Sequence, residues 1–169
     1  SYDAALQSID RITHPTRTVL EAKQKILFQL GTQQFTNAQF EQAASYFNQC
    51  LALGETHHPT LTEANYWMGE TQYRMGQYDT AQSYFLRYLA LEQSTANETY
   101  ALANYNLGYL AFHRKAYTEA INRFNAFLSR GKGLPATVRA DAYNRLGDCA
   151  FHSRAFDQAT AYYRQAEQL

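Results

Sequence analysis

Apolar and small residues follow one pattern along this chain, and the pattern is clearest in residues 102–128. Its positions are Leu107-Gly108, Ala111-Phe112, Tyr117, Ala120, Phe124 and Leu128. They follow the i, i+3, i+4, i+7 spacing of amphipathic helices rather than the alternation of a strand. The segment is therefore predicted to form two helices joined by a tight turn, with small residues where the helices cross.

The same pattern occurs three more times, around Gly31, Gly69 and Gly147, so that a Leu-Gly or Met-Gly pair recurs every 38 or 39 residues. Self-similarity at a fixed period of this length is typical of stacked helical repeats. We predict nine helices and no strand. The predicted divisions of this single array are residues 1–15 (the second helix of a truncated repeat), 16–55, 56–94, 95–132 and 133–169.

Polar residues and prolines mark the predicted helix ends. His14-Pro15 should end the first helix, because proline cannot continue it. Asn37 is predicted to cap the third helix, and Pro135 to occupy the first position of the eighth. Capping boxes, in which a threonine precedes a glutamate by three residues, are predicted at Thr18/Glu21, Thr60/Glu63 and Thr95/Glu98.

Residues 2–13 repeat the spacing of residues 40–50, the second helix of the first full repeat. Either the chain is a fragment of a longer array, or its native terminus is capped by a lone helix, since terminal repeats are commonly atypical. Uncapped ends expose apolar surface. Weak homo-association through residues 2–13 or 156–169 is therefore expected.

Composition narrows the class of partner. Lys and Arg total 15, and Asp and Glu also total 15, so no strong field attracts nucleic acid or an anionic membrane. No apolar run reaches membrane-spanning length. Cys50 and Cys149 lie in the first and fourth repeats, too far apart in a stacked array to form a disulfide, and both are expected to be core residues.

Residues 64–91 and 103–128 resemble the tetratricopeptide repeat (TPR), with its Leu-Gly pair, a following Tyr, and later Ala and Phe at fixed offsets. The resemblance implies an all-α fold, a right-handed α-solenoid of TPR-like helix-turn-helix repeats. Three features depart from the family pattern. The period exceeds the usual 34 residues, and the late small position holds Tyr88 and Phe127 in the middle repeats. The leading Trp position of the family is occupied here by Leu27, Asn65, Asn104 and Tyr143. Such long, Tyr-, Ala- and Gln-rich repeats resemble those of bacterial cell-envelope TPR proteins.

In the family, the first helix of each repeat lines a concave groove that binds a partner. The resemblance, together with helical spacing, implies a protein- or peptide-binding groove formed by Tyr66, Trp67, Glu70, Arg74, Tyr105, Asn106, Tyr109, His113, Arg145, Asp148 and His152. Aromatic side chains with polar tips are common in binding surfaces. Tyr66, Trp67, Tyr105 and Tyr109 are expected to be exposed there. Phe35, Tyr73, Phe112 and Phe151 are expected to pack between repeats instead.

Some ligand classes fit this sequence poorly. A carboxylate-clamp groove uses paired Lys and Asn residues, whereas only Asn106 and Arg145 are available here, and Glu70, Asp141 and Asp148 stand at clamp positions. These acidic groups would repel a C-terminal carboxylate. No metal site, cofactor or catalytic residue is predicted: equivalent residues one repeat apart cannot share one ion, and no nucleophile and base can be paired.

The sequence thus predicts a non-catalytic protein–protein interaction scaffold that binds a peptide segment or protein in an aromatic-lined groove. The alternative is a structural self-association or docking module within a longer TPR protein. Such a module could regulate a catalytic or DNA-binding part outside these residues.

Overall fold

The computed structural model describes residues 1–169 and contains nine helices and no strand, as predicted. Their bounds are α1 Tyr2–Asp10, α2 Arg17–Thr36, α3 Phe40–Ala52, α4 His58–Arg74, α5 Tyr78–Leu91, α6 Glu98–His113, α7 Tyr117–Arg130, α8 Ala136–His152 and α9 Phe156–Glu167. The most extensive contacts join α2 to α3, α4 to α5, α6 to α7 and α8 to α9. Each of these pairs is a helical hairpin, and α1 packs on α2.

The hairpins are grouped into two compact units. The first unit, Ser1–Leu91, contains α1 to α5, and the second, Glu92–Leu169, contains α6 to α9. Within the first unit α3 also packs on α4, and within the second α7 packs on α8. The second helix of one hairpin therefore contacts the first helix of the next inside each unit.

The glycine that marks each repeat lies where an aromatic ring from the second helix meets the first helix. A Cβ atom built on Gly69 would lie 2.7 Å from the ring of Phe85, and one on Gly108 would lie 2.8 Å from that of Phe124. Both rings are fully buried. Gly31 has the same relation to Phe47, and Gly147 to Tyr163. The recurring glycine is thus required because two helices touch at van der Waals distance without room for a methyl group.

The two helices of each hairpin are joined by the same turn, with one residue in the left-handed region at Ala38 (φ 59°), Gly76 (φ 76°), Lys115 (φ 62°) and Arg154 (φ 62°). In the first turn the Gln39 amide donates to the carbonyl of Gln34 at 2.8 Å, and the Ala38 amide to that of Phe35 at 2.9 Å. This is the Schellman arrangement, which satisfies carbonyls at a helix C-terminus. Three of the four turns place a side chain where glycine is favoured.

The three predicted capping boxes were wrong. The α2 helix is capped by Thr16, whose hydroxyl accepts from the Val19 amide at 3.3 Å, so Thr18 lies inside the helix. The cap of α6 is Asn97, a stronger capping residue than threonine, and its side chain accepts from the Thr99 amide at 2.7 Å. The α4 helix begins one turn earlier than expected, with Pro59 in its first turn and Thr60 already helical.

Two other predicted helix ends also shifted. Asn37 does not cap α3, because the Schellman turn uses it as the C-cap of α2, and Gln39 precedes α3. Pro135 is the N-cap of α8 rather than its first residue. The predicted and observed positions differ by one residue. Local capping signals therefore identified the connections but not the residue at which each helix begins.

One buried glutamine ties α2 to the connection between α3 and α4. The side-chain amide of Gln24 donates to the carbonyls of Cys50 at 3.1 Å and Gly54 at 2.8 Å. Its oxygen accepts from the His57 amide at 2.8 Å. Gln24 is fully buried, and three hydrogen bonds offset the cost of removing its amide from water.

We expect Gly108→Ala to destabilise the protein by about 1–3 kcal/mol, the usual range for overpacking, because the methyl group would collide with the buried Phe124 ring. Chemical denaturation measures this change. The matched control is Gly133→Ala in the same unit, where the new methyl would meet only the end of the Glu98 side chain. Equal stability of the two variants would contradict the close helix contact.

The left-handed turn residues predict that two substitutions change the stability of the protein in opposite directions. Ala38→Gly should stabilise the protein by about 0.5–1 kcal/mol, because relief of the left-handed strain outweighs the greater freedom of glycine in the unfolded chain. Gly76→Ala at the equivalent turn should destabilise it by a similar amount. Thermal and denaturant unfolding of both variants test the pair, and a shift of the same sign in both would be inconsistent with the turn geometry.

Candidate functional site

In the second unit, two tyrosines of α6 converge on one carboxylate of α8. The Tyr105 hydroxyl donates to Oδ2 of Asp141 at 2.6 Å, and the Tyr109 hydroxyl donates to the same oxygen. Tyr105 and Tyr109 are one helical turn apart, with ring centroids separated by 5.1 Å in an edge arrangement. The first helices of two successive hairpins are therefore joined by side chains at a partly exposed face.

The same face continues along α8 through an arginine held between two aspartates. Arg145 Nη1 lies 2.8 Å from Asp148 Oδ2, and Arg145 Nε lies 3.8 Å from Asp141 Oδ1. Asp148 also accepts from the Tyr163 hydroxyl at 2.6 Å. We call Tyr105, Tyr109, Asp141, Arg145, Asp148 and Tyr163 the tyrosine–aspartate cluster.

The charge of this cluster is negative overall, since two aspartates face one arginine. Burial, followed by hydrogen bonding to Asp141, raises the pKa of Tyr109 to about 12 and also raises that of Tyr105. Burial and the hydrogen bond to Asp148 raise the pKa of Tyr163 to about 12. These hydroxyls therefore stay protonated at neutral pH and act as donors to the carboxylates.

In the first unit, the corresponding surface consists of aromatic rings and one arginine. Trp67 of α4 meets the ring of Phe35 edge-on at 5.1 Å between centroids, and it is half-buried. The guanidinium of Arg74 lies over Phe35 at 5.6 Å and over Phe40 at 6.0 Å. We call Phe35, Phe40, Trp67 and Arg74 the aromatic–arginine cluster.

The expectation that Tyr66 is exposed in the groove was wrong. The residue is only 6% exposed, because its ring packs against those of Phe85 at 5.8 Å and Tyr88 at 5.5 Å. Its hydroxyl donates to Glu70 Oε1 at 2.9 Å. Tyr66 is therefore part of the core of the first unit. Trp67, Tyr105 and Tyr109 are partly exposed, as expected.

The two histidines predicted to line the groove, His113 and His152, lie at the C-terminal ends of α6 and α8. His152 stacks on Tyr117 with centroids 4.9 Å apart and planes only 2° from parallel, and it meets Phe112 at 6.3 Å. His113 is exposed and lies beside Tyr109 and Phe112 on its own helix. Asn106 is partly exposed on α6.

Four aromatic residues were expected to pack between repeats, and two of them meet a ring of the next hairpin: Phe35 contacts Trp67, and Phe112 contacts His152. The ring of Tyr73 contacts Tyr78 of its own hairpin. Phe35, Tyr73 and Phe112 are half-buried. Phe151 is 55% exposed, so the expectation that it packs between repeats was wrong. It contacts Phe156, which is itself 49% exposed, at 5.4 Å between centroids.

Two members of the tyrosine–aspartate cluster were not predicted as binding residues. Asp141 was considered only as a misplaced clamp residue, although Asp141, Arg145 and Asp148 follow the i, i+4, i+7 spacing of one helical stripe. Tyr163 occupies the position held by Phe47, Phe85 and Phe124 in the other hairpins. Its hydroxyl is the only difference from phenylalanine, and that difference is visible in the sequence.

The structure offers neither a metal site nor a reactive thiol. No group of three or more His, Cys, Asp or Glu side chains is placed to hold a metal ion. Both cysteines are free and buried, and burial raises the pKa of Cys50 to about 12 and that of Cys149 to about 11. No helix is both long enough and apolar enough to cross a bilayer.

The repeat glycines, the packed hairpins and a family comparison decide the class of the protein. A family model described as tetratricopeptide repeat matches residues 66–135 and 117–169, more than half of the chain. The chain belongs to the tetratricopeptide repeat family. TPR proteins are interaction modules, so this chain has the fold of a protein–protein interaction scaffold.

Solved structures with the same fold span nearly the whole chain. BtubC (BKLC) from P. vanneervenii is 14% identical with a TM-score of 0.80, over 99% of this chain and 69% of that one. MamA is 22% identical with a TM-score of 0.72, over 99% and 87%. The apo form of RapI is 15% identical with a TM-score of 0.73, over 86% and 42%. The predicted fold class, an all-α solenoid of TPR-like repeats, is confirmed. A search of curated proteins found no significant match.

The raised tyrosine pKa values predict a loss of stability in alkali. Tyr109 and Tyr163 have a pKa of about 12 in the folded protein against 10.0 for the ordinary side chain. The unfolded chain therefore releases these protons first, and the free energy of unfolding should fall as the pH rises from about 10 to about 12. Denaturant unfolding at several pH values measures this slope.

The double variant Tyr109→Phe/Tyr163→Phe should be less stable at neutral pH and should show a shallower alkaline slope. The variant Tyr2→Phe, at an exposed residue, serves as the control and should keep the slope of the unchanged protein. Absorbance at the tyrosinate band follows the titration directly. A single step near pH 10 for all 14 tyrosines would contradict the assigned environment.

Proposed function

We propose that this TPR protein is a non-catalytic scaffold that binds a peptide segment of a partner protein on α6 and α8, the first helices of the hairpins in its second unit. The observation that supports this most strongly is the tyrosine–aspartate cluster in the second unit. It combines partly exposed rings with charged groups at the surface of α6 and α8. Such surfaces combine contact area with directional hydrogen bonds at little conformational cost.

The charge of the cluster suggests the chemistry of the segment. Asp141 and Asp148 are only partly balanced by Arg145, so a ligand carboxylate would meet net repulsion, and a lysine or arginine would meet net attraction. We therefore propose a segment with at least one basic side chain. This proposal agrees with the sequence-based prediction against a carboxylate clamp.

One donor of the tyrosine–aspartate cluster is not used in a hydrogen bond within the protein. Arg145 Nε has no hydrogen-bond acceptor although the atom is buried. The guanidinium is therefore held by one short contact to Asp148 and a longer approach to Asp141. A basic ligand group that engages Asp148 would compete with Arg145, which could then turn toward an acceptor on the bound segment.

In the first unit, Trp67 is the residue proposed to contact a partner. It is the only tryptophan of the chain and remains partly exposed although it packs on Phe35. Large amphipathic side chains often dominate binding energy. Tyr66, which is buried, is proposed to support Trp67 rather than to touch the ligand, since their rings meet edge-on at 5.5 Å.

The proposal predicts the composition and location of peptide binding. Peptides selected from a random phage library on the intact protein should be enriched in lysine and arginine. Their NMR footprint should cover α6 and α8. Asp148→Asn should weaken the selected peptides by about tenfold, since a charged hydrogen bond would become a neutral one. Isothermal titration calorimetry measures the affinities.

The matched control is Asp79→Asn, which removes an exposed acidic group from the second helix α5. It should leave affinity unchanged, and circular dichroism should show unchanged helix content in both variants. Equal losses in the two variants would indicate only a nonspecific charge effect. A footprint confined to the second helices α7 and α9 would place binding on the opposite helices and refute the proposed site.

A further inference from the structure

Within the tyrosine–aspartate cluster, the carboxylate of Asp148 is contacted from two sides. Its Oδ1 accepts from the Tyr163 hydroxyl at 2.6 Å, and its Oδ2 lies 2.8 Å from Arg145 Nη1. An ionised carboxylate offers about four acceptor positions, so each oxygen can accept one further hydrogen bond. The Asp148 side chain is 28% exposed. Part of this carboxylate therefore faces solvent with unused acceptor positions.

The two groups that contact Asp148 differ in rigidity. The ring of Tyr163 lies against Gly147 at the helix crossing, where even a Cβ atom would overlap it. The Tyr163 hydroxyl therefore has a fixed place relative to α8. Arg145 is a long surface side chain whose buried Nε has no hydrogen-bond acceptor, and such side chains keep much rotational freedom. The orientation of the Asp148 carboxylate is thus determined mainly by Tyr163.

The hydroxyl of Tyr163 is not required for packing. In the other three hairpins a phenylalanine lies in the same place against the repeat glycine: Phe47, Phe85 and Phe124. An acidic residue follows the repeat glycine in two hairpins, as Glu70 and Asp148. In both, a tyrosine hydroxyl donates to the carboxylate, from Tyr66 at 2.9 Å and from Tyr163 at 2.6 Å. The tyrosine donor therefore accompanies the carboxylate rather than the ring contact.

The position of Asp148 in its hairpin is one that a neighbouring hairpin leaves partly exposed. Tyr109 occupies the equivalent position, one residue after Gly108. It remains partly exposed although α8 packs on the second helix of its hairpin. Stacking of hairpins thus leaves room at this position for a ligand group.

We propose that Tyr163 is a positioning residue for the binding of a basic side chain by Asp148, an inference that rests on the proposed function. By holding Oδ1, the Tyr163 hydroxyl prevents Asp148 from turning both oxygens toward Arg145. A guanidinium can pair with a carboxylate through two parallel hydrogen bonds, and such a pair would reduce the attraction of Asp148 for a ligand cation. With the hydroxyl in place, Arg145 contacts only Oδ2, and the carboxylate can also accept from the bound segment.

The probe is a blocked peptide of three Gly-Arg pairs, titrated into the intact protein and followed by NMR. The same peptide with citrulline, a neutral analogue of arginine, measures the contribution of charge. Tyr163→Phe should weaken binding of the arginine peptide about fivefold, the effect of losing one hydrogen bond that orients a charged group. The matched control is Tyr162→Phe, which removes the hydroxyl of the neighbouring ring that packs against the core of the second unit. It should leave the affinity unchanged.

A double-mutant cycle separates positioning from a general effect on the structure. In the Asp148→Asn protein, Tyr163→Phe should cause no further loss of affinity, because the hydroxyl acts through this carboxylate. An equal loss in both backgrounds would overturn the positioning role. Unchanged or tighter binding by Tyr163→Phe, while Asp148→Asn still weakens the arginine peptide, would also overturn it. In both of these cases the acidic binding site would stand without Tyr163.

Failure of the proposed function would give a different result. Equal binding of the arginine and citrulline peptides, or no loss of affinity in Asp148→Asn, would refute the recognition of a basic segment and this inference with it. Circular dichroism should show unchanged helix content in Tyr163→Phe, since phenylalanine lies at this place in the other hairpins.

Discussion

The contact between a glycine of one helix and an aromatic ring of the next determines how every hairpin of this protein is built. At Gly31, Gly69, Gly108 and Gly147 an added Cβ would overlap the ring that crosses it. Because the glycine has no side chain, the aromatic ring of the second helix can lie directly against the backbone of the first helix. This contact also fixes the register of the two helices, since the glycine is the position on the first helix that leaves room for the ring. The positions of the turn and of the exposed first-helix residues follow from that register.

Much of the fold could be predicted because this contact leaves a periodic signal in the sequence. A glycine at a fixed distance from an alanine and an aromatic residue is informative, since packing leaves few alternatives at those positions. The starts of helices were harder to predict. At α2, α4 and α6 several polar residues compete as caps, and the choice depends on proline placement and connection length. Gln24 was not recognised, because its three hydrogen-bond partners are backbone groups that no side-chain pattern identifies.

The candidate site could be predicted only in part, because the sequence indicates which helix carries a residue but not how exposed that residue is. Helical spacing placed Tyr105, Tyr109, Arg145 and Asp148 on the correct helices, but exposure depends on the neighbouring side chains. Tyr66 and Tyr105 hold equivalent positions beside Tyr88 and Phe127, yet Tyr66 is buried and Tyr105 is not. The pairing of two tyrosines with one aspartate depends on the approach of α6 to α8, which sequence spacing alone does not determine.

Tyr163 belongs to both the packing contact and the surface. Its ring lies against Gly147, where the other hairpins have phenylalanine, and its hydroxyl reaches Asp148. One oxygen atom on a ring that packs against the helix crossing thus hydrogen-bonds a partly exposed carboxylate. The codons of phenylalanine and tyrosine differ by one nucleotide. A single nucleotide change at this position can therefore alter the hydrogen bonding of Asp148 while the packing of the ring against Gly147 is kept.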